Sequence, residues 1–240
     1  MKLKEQFHFL HRAYRYRFWT EKTQLQNLLN LNLKSTTAID IGANRGIYTY
    51  WLAKMVTPGG KVLAFEPQPE LCEEIIKICD WRGLQHVKVF NQGVSNKDGT
   101  LSLFRDGNGD GSATFEEYRK NNQQTEKLNI SVNTLDSFVM NQNLKNISFI
   151  KIDVEGHEEM VIKGAIDTLL KYKPYVQIEI FDAQSRSAQT LINFFTNLGY
   201  AGKVLLDGGG MPDVEFLDST PSPKFGYKGH RDLFFYHKSP

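Results

Sequence analysis

The sequence predicts an α/β fold in which a mainly parallel sheet is covered by helices. From residue 36 onward, short apolar runs alternate with stretches of helical apolar spacing, as in a parallel sheet with crossover helices. The 240 residues, 40% of them hydrophobic, can bury one sizeable core but leave little room for a second ordinary domain. The two cysteines, Cys72 and Cys79, match neither a disulfide framework nor a zinc-binding spacing. We therefore expect one domain that depends on its hydrophobic core.

A basic, aromatic segment precedes this pattern. Residues 1–33 are predicted to form an amphipathic helical arm, and residues 34–240 the domain itself. Three placements of its apolar stripe stay open: against the body of the domain, against a second copy of the chain, or on an anionic membrane surface. The stripe recurs at helical spacing and consists of Leu3, Phe7, Leu10, Tyr14 and Phe18.

Two strand–helix units open the domain. Residues 37–41 form an apolar run, a glycine turn follows, and Ile47, Trp51 and Met55 recur at helical spacing before Pro58 ends the helix. The second unit consists of a strand at 62–66 and a helix that buries Leu71, Ile75 and Ile78. A third strand follows at 87–90.

The alternation is interrupted between residues 93 and 134. The apolar run 101–104 follows the turn 96–99 too closely for a helical crossover, so the spacing predicts a hairpin. Residues 105–128 are polar and rich in glycine, and we expect them to form a lid. The alternation then resumes with strands at 149–153 and 175–181, helices near 157–171 and 187–198, and late strands around 204–206 and 233–236.

The net charge and the lengths of the apolar runs limit the possible partners of the protein. The formal charge of +2 provides no field that would favour nucleic acid as a partner. No apolar run approaches the ~20 residues that a membrane-spanning helix needs, and the N-terminus lacks the apolar centre of a signal peptide. We expect a soluble, cytoplasmic protein.

The turn from Asp40 to Gly46 lies between a predicted strand and a predicted helix. Its glycines permit positive φ angles and close approach of a ligand, and the helix N-terminus favours a negative group. The Gly-x-x-x-Gly spacing is neither the dinucleotide fingerprint nor a phosphate loop. A plain tight turn explains the same residues equally well, so the turn needs a second observation.

Glu66 supplies that observation. It ends the second strand about twenty residues after the glycines, where an acidic side chain accepts hydrogen bonds from a ribose diol. Asp40 adds a carboxylate that suits a ligand with an ammonium group. S-adenosylmethionine has both groups and lacks a pyrophosphate, so these residues favour it over a nicotinamide cofactor, which stays the rival within the enzymes.

Six motifs occur together along the chain: Asp40–Gly46 with Thr49, Phe65–Pro67, Val132–Asp136, Ile150–Glu158, Lys163–Ala165 and Asp232–Phe235. Through these motifs the sequence resembles FkbM-type methyltransferases. The resemblance implies a Rossmann-like class I methyltransferase fold, with a mostly parallel seven-stranded sheet and helices on both faces. It implies methyl transfer from S-adenosylmethionine to a hydroxyl of a small molecule or glycan. It also implies that Asp40, Gly42, Asn44 and Gly46 hold the methionine end of the cofactor and that Glu66 holds the ribose.

O-methylation needs a base close to the methyl donor. Asp153 ends the strand after the lid, at the carboxyl edge where open α/β sheets bind ligands. His157 opens the next helix, and a helix N-terminus favours the neutral imidazole that a base requires. We predict His157 as the base and Asp153 as the second choice. The alternatives are a solvated first-turn histidine and a capping carboxylate.

Two metal hypotheses stay open, although neither is strong enough to assign a metal site. Asp153 and Glu179 on neighbouring strands offer two hard oxygen ligands for a divalent cation. The segment 106–117 satisfies the EF-hand loop pattern, but a strand-like run precedes it where an EF-hand has a helix. The alternative function is therefore a non-catalytic nucleotide-fold or calcium-binding protein that docks on membranes through the arm.

Overall fold

A seven-stranded sheet organises the computed structural model, which describes residues 1–117, 125–180, 186–206, 209–214 and 231–237. The strand order is β3-β2-β1-β7-β8-β10-β9, and every pair is parallel except those of β10. This arrangement confirms the expected fold class. The strands of this sheet are β1 (Thr37–Ile41), β2 (Lys61–Phe65), β3 (Val87–Phe90), β7 (Ile147–Ile152), β8 (Tyr175–Ile180), β9 (Tyr200–Leu205) and β10 (Arg231–His237).

Helices cover both faces of the sheet. Ala38 and Val62 pack with the helices on one face, whereas Ile39, Ile41 and Leu63 pack with those on the other, because successive side chains of a strand point to opposite faces. The helices α1 (Leu3–Arg15), α2 (Lys22–Leu29), α3 (Ile47–Met55) and α4 (Pro69–Arg82) lie on the first face. The second face carries α5 (Leu135–Asn141), α6 (Glu158–Lys163), α7 (Ile166–Tyr172) and α8 (Arg186–Asn197).

The segment between residues 93 and 134 contains a second, three-stranded sheet. Its strands β4 (Gly93–Val94), β5 (Gly99–Arg105) and β6 (Glu126–Asn133) are ordered β4-β6-β5. The predicted hairpin partner of residues 101–104 was wrong, because β5 pairs antiparallel with β6 across the lid rather than with the strand before it. The lid therefore connects the two strands of a hairpin and is held at both ends.

The predicted single helix near residues 157–171 is two helices. Gly164 separates α6 from α7, and a Cβ atom there would lie 2.1 Å from the carbonyl oxygen of Ser95. The close approach of the chain at Ser95 therefore explains the glycine at this position. The predicted helix near 187–198 and the two late strands correspond to α8, β9 and β10.

The N-terminal arm packs on the domain through a face that the sequence analysis did not select. Phe9 and Ala13 of α1 are buried, with the Phe9 ring edge-on to Tyr50 of α3 at 5.3 Å. Two residues of the predicted stripe face outward, since Leu3 is 82% and Phe7 71% exposed. The stripe meets the domain only in part, because Leu10 packs against the core and the Tyr14 ring lies edge-on to Trp51 at 5.6 Å. A short π-helical turn, Tyr16–Thr20, links α1 to α2. Within the described ranges, no helix has the length and apolar character needed to cross a bilayer.

Candidate active site

A cavity of about 460 Å³ opens at the carboxyl ends of the parallel strands. Ligand sites of open α/β sheets lie at this edge, and the volume is within the usual range for a small-molecule pocket. Its walls come from four parts of the chain: the β1–α3 turn, the segment after β2, the lid between β5 and β6, and the N-terminal arm. The ends of β7 and β8 form its floor. The strand-tip residues Asp40, Glu66 and Asp153, predicted for the site, all line this cavity.

Asp40 is a buried carboxylate on the cavity wall. Its Oδ2 accepts a hydrogen bond from the Thr49 hydroxyl at 2.5 Å, so the first turn of α3 fixes its orientation. Burial raises the pKa of Asp40 to about 6, although the Thr49 bond and the Lys151 ammonium oppose the rise. A cationic group of a ligand beside Asp40 would stabilise the charged form.

Gly42 and Gly46 of the β1–α3 turn both have positive φ, but a side chain at each position would meet a different neighbour. Gly42 has φ +80°, and a Cβ atom there would lie 1.8 Å from the carbonyl oxygen of Asp153. Gly46 has φ +75° and precedes α3, and a Cβ atom there would lie 3.1 Å from the Ile75 side chain. Both positions use the left-handed conformation, as does Asn44 between them. The turn is thus shaped by its packing on β7 and α4 as well as by the cavity that it borders.

Glu66 joins the end of β2 to the β1–α3 turn. Its Oε2 accepts the backbone N–H of Asn44 at 2.7 Å, and its Oε1 accepts that of Gln68 at 2.9 Å. Burial raises the pKa of Glu66 to about 7 even though these two hydrogen bonds favour the charged form. Each carboxylate oxygen has a second lone pair, which leaves acceptor capacity for a diol.

Two buried amide atoms beside Glu66 point to a polar ligand. Among the described residues, the Gln68 Oε1 acceptor and the Gln92 Nε2 donor have no hydrogen-bond partner, and both side chains line the cavity. Buried polar atoms without partners are uncommon, because each costs free energy. A nucleoside, which offers donors and acceptors together, fits this end of the cavity.

The lid is fixed to α4 through one buried arginine. The Arg105 guanidinium bonds to Glu70, to Glu126 at 3.0 Å and to the side chain of Asn108 at 2.8 Å. Glu70 also accepts the backbone N–H of Gly109 at 2.8 Å, which holds the lid tip against the first turn of α4. The lid residues 109–111 thereby form part of the cavity wall.

The lid does not have the architecture of an EF-hand. Strand β5 enters the segment where an EF-hand requires a helix. Asp110, which the pattern assigns as a ligand, uses Oδ1 to accept the N–H of Ser112 and Oδ2 to accept that of Asp106. In addition, Asn108 is bonded to Arg105. The pattern describes an Asx-type turn in a lid.

Lys151 lies beneath the opposite end of the cavity among carboxylates. Its ammonium is buried and lies 3.8 Å from Asp153, 3.8 Å from Glu179 and 3.5 Å from Asp232. Burial alone would lower the pKa of Lys151, but these carboxylates raise it above its ordinary value. Within the described part of the chain, its Nζ has no hydrogen-bond partner. A charged donor is therefore available at the cavity floor.

The position of Lys151 also affects the hypothesis that Asp153 and Glu179 bind a divalent cation. The Lys151 ammonium already lies 3.8 Å from a carboxylate oxygen of both Asp153 and Glu179. In the ranges that the structure describes, there is no group of three or more His, Cys, Asp or Glu side chains that could hold a metal ion. The geometry therefore favours an ammonium–carboxylate cluster at these strand tips over a two-carboxylate metal site.

The N-terminal arm contributes to the cavity, which the sequence analysis missed. The Tyr48 hydroxyl donates a hydrogen bond to Glu21 Oε2 at 2.5 Å, and both residues line the cavity with Arg12 and Tyr16. Burial, followed by repulsion from Glu179 and Asp232, raises the pKa of Glu21. Helical periodicity places residues on faces but does not show which tertiary neighbour they meet, so no sequence signal distinguished Glu21.

The structure does not bring His157 to the cavity. The ring is buried, with Nε2 2.9 Å from the Ser95 hydroxyl and Nδ1 2.9 Å from Glu116, so both nitrogens have partners. The ring also packs on Phe115, which does line the cavity. In this arrangement, His157 connects the lid to the end of β4 and stands behind the cavity wall.

Comparison with known proteins identifies the family of the chain. The family model described as the methyltransferase FkbM domain matches residues 40–201, which is more than half of the chain and includes both ends of the cavity. The chain belongs to the FkbM methyltransferase family. It is therefore an S-adenosylmethionine-dependent methyltransferase, and the alternative of a non-catalytic nucleotide-fold protein was wrong.

Named relatives of this FkbM methyltransferase include two curated proteins. "Methyltransferase 1" of Beauveria bassiana is 26% identical over 195 residues, which is 74% of this chain and 77% of that protein. "2-O-methyltransferase NoeI" of Sinorhizobium fredii is 25% identical over 166 residues and covers 61% of this chain; the match spans 65% of NoeI. Aeropyrum pernix fibrillarin, solved with natively bound S-adenosyl-L-methionine, superposes over 93% of this chain and 75% of its own. The TM-score is 0.52 and the identity is 11%, so this likeness concerns the fold.

Proposed function

We propose that this protein transfers a methyl group from S-adenosylmethionine to a hydroxyl of a small molecule or glycan. The observation that carries the proposal is the shared cavity: a nucleoside-type end at Glu66 and a charged end at Lys151 and Asp153. The name of one relative, a 2-O-methyltransferase, supports oxygen as the acceptor atom.

The cofactor fits the residues of the first end. Glu66 would hold the ribose hydroxyls, and Asp40 the ammonium of the methionine part, with Gly42, Asn44 and Gly46 forming the turn beside it. When bound, S-adenosylmethionine supplies an electrophilic methyl group on a sulfonium. The surplus of carboxylates around a single ammonium at the cavity floor favours such a cation.

Asp153 and Lys151 have different proposed roles toward the acceptor hydroxyl. The Asp153 carboxylate lines the cavity and would accept the hydroxyl proton as the acceptor oxygen attacks. The Lys151 ammonium, 3.8 Å from the Asp153 carboxylate, would donate a hydrogen bond to the acceptor. His157 is outside this arrangement, so we now propose Asp153 as the base.

The acceptor class is tested by mass spectrometry. The full chain is incubated with methyl-labelled cofactor and a panel of sugars, glycans and hydroxylated metabolites, with matched amines as a second panel. We expect an increment of about 14 Da, the mass of an added CH2, on a hydroxyl compound. Methylation confined to the amine panel would overturn the proposal of an oxygen acceptor.

The base is tested with Asp153→Asn. We expect turnover on the identified acceptor to fall by roughly 10²–10⁴, the usual contribution of a general base, while S-adenosylhomocysteine binds with unchanged affinity. Asp167→Asn, on the exposed side of α7, is the matched control and should retain full turnover. If Asp153→Asn also retains full turnover, the assignment of Asp153 is wrong.

A further inference from the structure

Helix α1 has two apolar faces, and the domain uses only one of them. Phe9 and Ala13 are buried against the domain, with Phe9 packed edge-on to Tyr50. The opposite face exposes Leu3 at 82% and Phe7 at 71%. A domain that needed the arm only for its own stability would require one apolar face.

The outer face continues beyond α1 as an aromatic surface. Tyr14 stacks on Phe18 at 6.2 Å, and Phe18 contacts Trp19 edge-on at 5.9 Å. Trp19 is 74% exposed, which is unusual for the largest apolar side chain. We call this set of outward side chains the outer stripe; it consists of Leu3, Phe7, Tyr14, Phe18 and Trp19.

The charge of the arm differs from that of the remaining chain. Six Lys or Arg and two Glu in residues 1–22 give this segment a charge of +4, so residues 23–240 carry −2. Lys4 and Arg15 are exposed. Glu21 bonds to Tyr48 inside the cavity, and Arg12 lies 4.0 Å from Glu74, so both partly belong to the domain. The solvent-facing charge beside the outer stripe is therefore mainly positive.

We propose that the outer stripe docks on an anionic lipid bilayer, with α1 lying in the plane of the interface. Exposed Leu, Phe and Trp flanked by Lys and Arg are typical of interfacial helices, because the apolar side chains enter the headgroup boundary while the basic ones remain at anionic headgroups. Trp also favours the membrane–water interface itself. The described helices include none that could cross the bilayer.

A second copy of the chain fits this surface less well. A twofold dimer brings the same patch of both copies together, which would place one arm of charge +4 against another. Like charges in contact weaken such an interface, whereas an anionic bilayer neutralises them. Self-association is therefore the competing outcome that the experiment must detect.

The test uses the full chain and vesicles of two compositions, 30% phosphatidylglycerol in phosphatidylcholine and phosphatidylcholine alone, at 100 mM salt. We expect at least tenfold stronger co-sedimentation with the anionic vesicles and a blue shift of tryptophan emission. Trp19→Phe should remove the shift but retain most of the binding, because Trp51 is buried and Trp81 on α4 is half-buried against the core, so neither reports on lipid. Binding that is equal for both compositions, or absent at 1 mM lipid, would overturn the proposal.

Variants of the surface separate its two components. Phe7→Ser combined with Trp19→Ser should weaken anionic-vesicle binding at least tenfold. Lys4→Gln combined with Arg15→Gln should weaken it by roughly tenfold or more and reduce its salt dependence. Met140→Ser, an exposed apolar residue on α5 at 74%, is the matched control and should change nothing.

Two further measurements keep the outcomes distinct. All variants should bind S-adenosylhomocysteine like the unmodified chain, since none of the five substituted residues lines the cavity. A change in that affinity would attribute the loss of binding to altered folding and would count against the proposal. Sedimentation equilibrium without lipid should show a monomer, and a dimer that Phe7→Ser dissolves would assign the surface to a second copy instead.

Discussion

Glu66 at the end of β2 holds Asn44 of the neighbouring β1–α3 turn, through a 2.7 Å hydrogen bond from the Asn44 backbone N–H to the Glu66 Oε2. One carboxylate therefore shapes the turn and also borders the cavity. Strand order explains the pairing, because β1 and β2 are parallel neighbours and their carboxyl ends coincide.

The first prediction concerns cofactor affinity. Glu66→Ala removes the proposed acceptor of the ribose hydroxyls and leaves the Asn44 and Gln68 N–H groups without their partner. Hydrogen bonds to charged groups contribute about 1.5–3 kcal/mol, so we expect S-adenosylhomocysteine to bind roughly 10- to 100-fold more weakly by calorimetry. Glu73→Ala, on the exposed side of α4, is the control. Equal affinity in Glu66→Ala would contradict the ribose assignment.

The second prediction is a pH dependence of binding. The pKa of Glu66 is raised to about 7 without ligand, and ribose hydroxyls donate to the charged carboxylate. We therefore expect affinity to rise between pH 6 and pH 7 by less than tenfold and to level off above pH 8. Glu66→Gln should flatten this dependence. An unmodified chain whose affinity is constant from pH 6 to pH 8 would show that Glu66 does not titrate on binding.

The raised pKa values of Asp40 and Glu66 make the stability of the folded chain decrease with rising pH, whereas cofactor affinity increases. Because the pKa values of Asp40 and Glu66 are raised, the folded chain without ligand binds more protons than the unfolded chain between about pH 4 and 7. Their contribution to the free energy of unfolding therefore decreases as pH rises through that range. Bound cofactor stabilises their charged forms and should reduce this decrease.

Much of this site could be predicted because it depends on local patterns and one topological rule. Residues 37–41 and 62–66 are apolar runs followed by turns, and the carboxyl ends of parallel strands meet at one edge. That rule alone places Asp40, Glu66 and Asp153 near one another. Their exact partners, such as Thr49 for Asp40, follow only from the packed structure.

Other parts could not be predicted because tertiary contacts decide them. Strand β6 alternates exposed and buried residues within a polar segment, so its pattern resembles a loop until β5 pairs with it. Two residues of the family motif turned out to be caps: the Thr134 hydroxyl accepts the Ser137 N–H, and Asp136 accepts the N–H groups that open α7. A motif shows that residues matter without showing whether they bind ligand or begin a helix.

The third prediction concerns His157. Removing the ring leaves buried Ser95 and half-buried Glu116 without their partner, so we expect His157→Ala to lower the free energy of unfolding by about 1–3 kcal/mol. Turnover should stay within about tenfold, because Asp153 is the proposed base. His86→Ala, which removes a half-buried histidine bonded to Ala53, is the control. A loss of turnover above 100-fold with normal cofactor binding would support His157 as the general base instead of Asp153.

The last prediction compares two glycines that share a left-handed backbone. At Gly42, φ is +80° and a Cβ atom would lie 1.8 Å from the Asp153 carbonyl oxygen, whereas at Gly83 φ is +65° and nothing lies within 4 Å. Gly83→Ala should cost about 1–2 kcal/mol, the backbone strain alone. Gly42→Ala adds a backbone clash and should cost about 3 kcal/mol or more in urea unfolding. Because the clash displaces Asp153, any folded Gly42→Ala should also lose turnover; equal costs for the two variants would contradict the close packing of the turn on β7.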